Sequence, residues 1–309
     1  MTNAPSATFI LVSYNQEDTI EASTRAALAQ VGEPLEIILS DDASSDRTYD
    51  IMQRVAGGYD GPHHVTVRQN PENLGVNTHV KRVLDLASHD FLIWAAGDDI
   101  SLPQRAHKIL QAYRDTSAKL IHSDAQTRRP DGSPGTQEHR KALLYRDHFT
   151  MKEAATSFAL YLGATAAWHR DLHQVYGGFP QERAHEDLIL GFRAVLENSL
   201  HYIPEELVIY RQDAGIASQL SRNLSKLDNR ARRAAILKGQ ITVLQQRLKD
   251  TDTFGLATDH PARHAMEKLR DRFAMRLSYY EGDKARFARH PLRLVHALTS
   301  EWLRDRRNR

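Results

Sequence analysis

FLIWAAGDDISLP, residues 91–103, joins a hydrophobic run to a pair of aspartates. The uninterrupted apolar run predicts a buried β-strand that ends shortly before Asp98 and Asp99. Carboxylates at a strand end often bind divalent metal ions and phosphates, but they also cap helices and occupy solvated turns. The pair alone therefore leaves both interpretations open.

The composition is that of a folded protein of enzyme size. The 309 residues are 41% hydrophobic and 26% charged, which provides enough apolar material for a sizeable core. Cysteine is absent, which excludes disulfides, thiolate metal sites and a cysteine nucleophile. A bound metal ion must therefore use oxygen or imidazole ligands.

The sequence also disfavours export and membrane anchoring. Its apolar runs are far shorter than the roughly 20 residues needed to span a bilayer. The amino terminus has no basic segment before an apolar core. We therefore expect a cytoplasmic protein.

Charge is unevenly distributed along the chain. Residues 1–221 contain 20 basic and 29 acidic residues, whereas residues 222–309 contain 21 basic and 10 acidic residues. Together with a change of pattern near Ser218, this contrast predicts an acidic domain over residues 1–219 and a basic extension over residues 220–309.

Short apolar segments alternate with helical segments over the first hundred residues. The patterns predict strands at residues 8–12, 35–40, 65–68 and 91–95, and helices at residues 18–29, 46–55 and 78–87. Strands separated by helices predict an α/β fold with a mostly parallel sheet flanked by helices. In such folds, ligands bind beyond the carboxyl ends of the strands.

Three of these predicted strand ends are polar. They carry Ser13-Tyr14-Asn15, Asp41-Asp42-Ala-Ser-Ser-Asp46 and Asp98-Asp99. No GxxxxGK[ST] loop is present and no GxGxxG follows the first strand, which disfavours P-loop phosphate transfer and the usual dinucleotide site.

Several short motifs follow one another in a specific order. They are Val12-Ser-Tyr-Asn15, Ser40-Asp-Asp-Ala-Ser-Ser-Asp-Arg-Thr48, Asn73-Leu-Gly75, Gly97-Asp-Asp99 with Pro103, Ile121-His-Ser-Asp124 with Asp131-Gly132, Tyr176-Gly-Gly-Phe179, His185-Glu-Asp-Leu188 and Tyr210-Arg211. The ordered set resembles the inverting family 2 glycosyltransferases of the GT-A fold over about residues 7–218. This resemblance implies a nucleotide half over about residues 1–103, an acceptor half over about residues 104–219, and a nucleotide diphosphate sugar as donor.

A nucleotide needs a face on which its base stacks and a polar edge that it can bind. Tyr14 and Asp42 can supply these, and the resemblance implies the same roles, with Asn15 beside them. Asn73 and Gly75 would let the backbone approach the nucleotide. A half-buried core tyrosine, a capping aspartate and a simple turn are the structural alternatives.

The resemblance assigns a divalent metal, Mn²⁺ or Mg²⁺, to Asp98. Such an ion uses one or two carboxylates plus the phosphates, and it neutralises the charge that develops on a leaving diphosphate. Asp99 is either a supporting residue or a helix cap. The chain departs from the family at Ala96, where another aspartate is usual, and at Asp213, where histidine is frequent; Asp213 remains a metal-ligand candidate.

The acceptor hydroxyl needs a base, and the resemblance favours Asp187 with Glu186 as its acceptor-orienting neighbour. Apolar residues recur at helical spacing from Leu188, which places both carboxylates in the first turn of a helix. There they could instead simply stabilise the helix dipole. Residues 163–168 either wall the acceptor site or belong to the core. His122, Ser123 and Asp124, at a predicted strand end, either line that site or serve structural hydrogen bonds.

The basic extension is predicted to be helical. Leu237, Ile241, Leu244 and Leu248 recur at heptad-like spacing, and the closing segment from Leu292 to Arg309 combines an apolar helical face with arginines. These helices pack on the domain or on another subunit, or they dock on an anionic membrane face. Nucleic-acid binding is disfavoured because no recognition motif accompanies the charge.

Two functions follow from the sequence. The first is an inverting, metal-assisted glycosyltransferase that extends a glycan or lipid-linked acceptor in bacterial surface polysaccharide synthesis, a setting implied by the resemblance alone. The second is a catalytically weak relative that serves as a glycan-binding or scaffold subunit, which Ala96 and Asp213 suggest.

Overall fold

The computed structural model describes residues 7–180, 186–212 and 227–282, together with Val295 and Thr299. His185, Asp213, the predicted boundary at residue 219 and most of the closing basic segment lie outside the described residues. Within the described part, no helix is long and apolar enough to cross a membrane.

The described strands form one eight-stranded sheet in the order β3-β2-β1-β4-β7-β6-β8-β5. The strands are β1 Ala7–Ser13, β2 Glu36–Asp41, β3 His64–Gln69, β4 Phe91–Ala96, β5 Ile100–Ser101, β6 Leu120–Arg128, β7 Ala167–His169 and β8 Leu200–Arg211. The neighbouring pairs β3–β2, β2–β1, β1–β4 and β6–β8 are parallel. The pairs β4–β7, β7–β6 and β8–β5 are antiparallel. The predicted mostly parallel α/β sheet is confirmed.

Helices cover both faces of the sheet. They are α1 Ile20–Leu28, α2 Thr48–Gly57, α3 Val76–Leu84, α4 Arg105–Thr116, α5 Met151–Thr156, α6 Asp171–Gln174, α7 Glu186–Leu196, α8 Asn229–Phe254 and α9 Pro261–Glu281. Alternate residues of a strand point to opposite faces. Phe9 and Leu11 accordingly join a core with α1, α2 and α4, and Ile10 joins a second core with α3, α7, α8 and α9.

Strand β6 differs from its prediction. His122, Ser123 and Asp124 were expected at a strand end, but the strand continues to Arg128. The register against β8 shifts on both sides of Asp124, and this irregularity allows pairing to resume beyond the polar residues. Periodicity in the sequence does not reveal such a shift.

The described part of the extension packs on α5 and α7. Leu237, Leu244 and Leu248 of α8 are buried in the same core as Ile189 and Phe192 of α7. The heptad-like spacing therefore marks the face of α8 that packs on α7, in agreement with one of the alternatives that the sequence left open. Helix α8 begins at a side-chain cap from Asp228 and ends at Gly255 with φ of 80°, a left-handed conformation that glycine adopts at low cost.

Candidate active site

The loop after β1 is fixed by the loop after β2. Asn15 has a φ of 50° and accepts a 2.9 Å hydrogen bond from the Ser45 amide, while its own amide donates to Ser44 Oγ at 2.8 Å. The Gln16 amide donates to Thr48 Oγ1 at 2.7 Å. Asn15 therefore shapes the turn that presents the half-buried Tyr14 at the end of β1.

Asp42 organises the loop that follows β3. One of its carboxylate oxygens accepts from Asn70 Nδ2 at 2.7 Å and from the Leu74 amide at 2.9 Å, and the other accepts from the Gly75 amide at 2.9 Å. Asn73 Nδ2 donates to the Asp42 carbonyl at 3.3 Å. Gly75 has a φ of 74° and precedes α3. The three predicted residues Asp42, Asn73 and Gly75 thus lie together, and contact with a base remains a prediction.

Gly97 and Gln16 place Asp98 at the end of β4. The Gly97 amide donates to the Val12 carbonyl at 2.9 Å, which extends the parallel pairing of β1 and β4 by one residue. Gln16 Nε2 then donates to Asp98 Oδ1 at 2.9 Å. The loops after β1, β2, β3 and β4 are consequently connected at one edge of the sheet, as their order predicts.

Asp98 and Asp99 are both buried, with 6% and 5% of their surfaces exposed. Burial raises the pKa of Asp98, although hydrogen bonds and the charge of Arg211 oppose the shift. Burial and then the charge of Asp98 raise the pKa of Asp99 well above its ordinary value, against the effects of Arg211 and Arg105. Two adjacent carboxylates that resist joint ionisation tend to retain a proton that an arriving cation can displace.

The acidic pair suits a divalent cation whose remaining coordination positions are filled by the phosphates of a bound substrate. Mg²⁺-type ions are commonly bound through one or two carboxylates together with substrate phosphates, and a buried acidic pair provides those oxygens. Among the described residues, no group of three or more histidine or acidic side chains forms a self-sufficient metal site. Asp98 would hold such a cation and Asp99 would support it, with the phosphates supplying further oxygens.

Glu186 and Asp187 lie in the first turn of α7, as the helical spacing predicts. Asp187 Oδ1 accepts from the Leu188 amide at 2.8 Å. A Cβ built on Gly163 would stand 3.6 Å from Asp187 Cβ and 3.7 Å from Glu186 Oε1. Burial raises the pKa of nearby Tyr161 well above its ordinary value, and the charges of Asp187 and Glu186 add to the shift.

Arg105 connects this acidic helix turn to the acidic pair. Its fully buried guanidinium donates to the carbonyls of Trp94 on β4, at 2.7 Å, and of Ala164 and Ala166, at 3.1 and 3.2 Å. Burial lowers the pKa of Arg105 to about 10, while the charge of Asp99 favours its protonated form. The segment from Gly163 to Ala166 therefore contacts the Asp187 turn at one end and β4 at the other.

We expect Gly97→Ala to reduce stability and to displace Asp98. A Cβ at Gly97 would lie 2.5 Å from Gln16 Oε1, 2.9 Å from Ile20 Cδ1 and 3.0 Å from Ser13 Cβ. Overpacking of this kind lowers the free energy of unfolding by about 1–3 kcal/mol, which denaturant titration measures. Gly57→Ala on α2 is the matched control, because nothing lies within 4 Å of its Cβ. Equal stabilities of the two variants would contradict this reading of Gly97.

Residues 8–177 match the sequence profile of a known protein family. The sequence profile of glycosyl transferase family 2 matches residues 8–177, more than half of the 309 residues. The chain belongs to glycosyl transferase family 2. The matched region contains all four connected strand ends and stops before α7.

One curated protein with a similar sequence is the putative glycosyltransferase EpsE of Bacillus subtilis (strain 168). It is 32% identical over 108 residues, which make up 35% of this chain and 38% of EpsE. The alignment therefore spans well under two thirds of that relative. Its description as a putative glycosyltransferase agrees with the family match.

Solved structures share the architecture over nearly the whole chain. TarS 1-349 of S. aureus in complex with UDP-GlcNAc has a TM-score of 0.60 at 15% identity, covering 95% of this chain and 79% of TarS 1-349. Mannosyltransferase PcManGT from Pyrobaculum calidifontis in complex with GDP-Man and Mn²⁺ has a TM-score of 0.53 at 16% identity, covering 96% and 87%. At these identities the likeness establishes the fold, and the predicted GT-A fold of this family 2 chain is confirmed.

The contacts of several predicted residues bear on the alternatives that the sequence left open for them. Asp99 is not a helix cap: its Oδ1 accepts from the Arg211 amide of β8 at 2.9 Å, and α4 begins only at Arg105. His122 is fully buried, and Asp124 is paired with His139 at 2.8 Å. Both side chains are therefore buried, and their place beside an acceptor remains a prediction.

Two residues of the site escaped the sequence-based prediction. Gln16 follows the Val12–Asn15 motif directly, so its position beside a strand end was a usable signal. Arg105 follows Pro103 in a segment that reads as an ordinary helix start, and nothing in one sequence marks its burial. Asp213, the remaining metal candidate, lies outside the described residues.

Proposed function

We propose that this protein transfers a sugar from a nucleotide diphosphate sugar to a hydroxyl group of a glycan or lipid-linked acceptor, with inversion at the anomeric carbon. The observation that supports this function best is the arrangement of two acidic centres. Asp98 and Asp99 follow β4, while Asp187 and Glu186 border the segment that Arg105 ties to β4. One centre serves the donor and the other the acceptor.

On the donor side, Tyr14 and Asp42 would contact the base, with Asn15, Asn73 and Gly75 shaping the surrounding loops. A bound Mn²⁺ or Mg²⁺ supplies charge neutralisation for the diphosphate, and Asp98 would hold it. PcManGT, whose fold is similar, binds GDP-Man together with Mn²⁺. TarS binds UDP-GlcNAc, so this fold accommodates more than one nucleotide base.

On the acceptor side, Asp187 takes the proton from the acceptor hydroxyl. The hydroxyl oxygen then forms a bond to the anomeric carbon as the bond from that carbon to the diphosphate breaks. The electron pair of the broken bond leaves with the nucleoside diphosphate. Because attack and departure occur on opposite faces, the product has inverted configuration. Glu186, one residue away, would orient the acceptor.

A screen of nucleotide sugars tests the donor assignment. We expect one of the UDP-, dTDP- or GDP-sugars to raise the melting temperature in the presence of Mn²⁺, because a ligand that binds the folded state stabilises it. The same donor without Mn²⁺ should give a smaller shift. Release of the nucleoside diphosphate on addition of an acceptor then reports turnover. Failure of every donor to bind would contradict the proposal.

A second function is favoured by one specific feature. Ala96 stands at the end of β4, where the resemblance leads us to expect a further aspartate, so the metal shell has fewer protein oxygens. A chain with such a site could bind a donor or glycan and act as a scaffold subunit. Donor binding without turnover for any acceptor tested would support this function over the enzymatic one.

The proposed setting is the cytoplasm, with the basic extension contacting an anionic membrane face or a second copy of the chain. The support is its charge, because residues 222–309 carry 21 basic and 10 acidic residues. Flotation of the full chain with vesicles that contain anionic lipid tests membrane contact, with neutral vesicles as the control. Recovery of the chain only in the unbound fraction of both samples would remove membrane contact from the proposal.

A further inference from the structure

Arg247 on α8 is a fully buried cation that contacts two parts of the acceptor half. Its Nη2 and Nε donate to the Leu188 carbonyl at 2.8 and 3.1 Å, immediately after Asp187 in α7. Its Nη1 donates to the carbonyls of Ala155 and Ser157 at 3.0 and 2.8 Å. One guanidinium thus joins the turn that carries the predicted base to the carboxyl end of α5.

A second contact between α8 and α7 is an ion pair of Asp250 with Arg193, which lies further along α7. Asp250 lies three residues after Arg247, a spacing that places both on one helix face. Arg193 of α7 donates to its two carboxylate oxygens at 2.9 and 3.0 Å, and both side chains of this pair are fully buried. Gln246 donates to Asp250 at 2.7 Å. Helix α8 therefore bonds to α7 at two places, near the beginning of α7 at Leu188 and again at Arg193.

The segment that follows α5 packs closely on α7. A Cβ on Gly191 would lie 2.9 Å from Leu160 Cδ1 and 3.0 Å from Tyr161 Cε1, so only glycine fits this approach without movement. Gly163, three residues after Leu160, borders both Asp187 and Glu186. By tying α5 to α7, Arg247 sets the spacing between the Gly163 segment and the Asp187 turn.

Charge also connects Arg247 with the base. Burial lowers the pKa of Arg247 to about 9, and the negative charges of Asp187 and Asp250 oppose that shift. The guanidinium stays protonated at neutral pH. Its hydrogen bonds go to carbonyls, so the two carboxylates supply the opposite charge at longer range. The charges of Arg247 and Asp187 therefore attract each other across this buried contact.

We propose that Arg247, which lies outside the family-matched residues 8–177, is a positioning residue for glycosyl transfer that fixes the Asp187 turn of α7 against the α5 segment. This inference rests on the proposed function. It makes the described part of the extension a component of the acceptor site. Donor binding, which involves the strand ends of the nucleotide half, does not depend on it.

The test compares three variants in the full chain. Arg247→Met removes the charge and every hydrogen bond, and Arg247→Lys retains the charge with fewer donors. Arg263→Met is the matched control, because the guanidinium of this nearly buried arginine bonds to Thr251 and Asp252, within the extension. Titration with donor counts the folded molecules, so that kcat is expressed per donor-binding site.

We expect Arg247→Met to lower kcat per donor site by about 100-fold, a typical cost of misplacing a catalytic group by 1 Å, with donor KM unchanged. Arg247→Lys should recover part of this loss, and Arg263→Met should leave kcat per site unchanged. Parental kcat in Arg247→Met, or an equal loss in Arg263→Met, would overturn the proposal.

Amide hydrogen exchange separates this inference from the proposed function. Exchange in α7 and in residues 151–160 should accelerate in Arg247→Met and stay at the parental rate in Arg263→Met. If the parental protein transfers no sugar, the proposed function fails whatever the exchange result. If exchange in α7 is unaltered in Arg247→Met, the positioning role itself is wrong.

Discussion

Asp187→Asn is expected to lower the rate of glycosyl transfer by about 10²–10⁴-fold while leaving donor affinity unchanged, because general base catalysis contributes rate enhancements of this size. Asparagine is similar in shape to aspartate and can still accept the 2.8 Å hydrogen bond from the Leu188 amide. It cannot take up the acceptor proton. Single-turnover kinetics with saturating donor measures the chemical step directly.

The control for Asp187→Asn is its neighbour. Glu186→Gln changes a carboxylate in the same helix turn, beside the same Gly163. We expect it to raise the KM for the acceptor and to lower kcat by a smaller factor, because its proposed role is orientation. Unchanged turnover in Asp187→Asn would remove Asp187 from the role of base. A larger loss in Glu186→Gln would exchange the two assignments.

Asp98→Asn is expected to abolish the effect of Mn²⁺ on donor binding. Metal-free donor affinity should change little, because the base and ribose contact other loops, whereas the Mn²⁺-dependent gain should disappear. Asparagine preserves the shape that fits Gln16 and removes the charge. Calorimetric titration of donor with and without Mn²⁺ gives both affinities. A gain equal to that of the parent would show that Asp98 holds no metal.

Asp99→Asn provides the matched comparison for Asp98. Burial and the charge of Asp98 raise the pKa of Asp99 well above its ordinary value, so asparagine resembles the neutral form toward which these effects shift Asp99. We therefore expect a much smaller loss of Mn²⁺ dependence than in Asp98→Asn. In the parent, raised carboxyl pKa values imply that Mn²⁺ affinity falls as pH decreases, because protons then compete with the cation.

The donor side of the fold was largely predictable from local sequence. Each parallel strand is a short apolar run, and the chain leaves its carboxyl end through polar residues such as Asn15, Asp42 and Asp98. Because parallel strands end at the same edge, sequence order alone implied that these residues converge. The specific partners, such as the Gly75 amide for Asp42, depend on loop geometry that a pattern does not encode.

The acceptor side was less predictable because it depends on distant contacts. The periodicity of α7 placed Asp187 in a first turn, but nothing near it in sequence indicates Arg247 or the Gly163 segment. The buried arginines at 105, 193 and 247 read as ordinary helix surface residues. Their burial follows from tertiary carbonyl and carboxylate partners, which a hydrophobicity pattern cannot reveal.

The buried contacts between α8 and α7 limit how these helices can be exchanged between related proteins. A chimera that imports α7 from a relative, in order to change the acceptor, also replaces Arg193, the ion partner of Asp250. Such a graft would remove Arg193 and leave the buried Asp250 without its ion partner, at a cost of several kcal/mol. We therefore expect a folded chimera only when α7 and α8 are exchanged together, while residues 1–177 are kept from this chain.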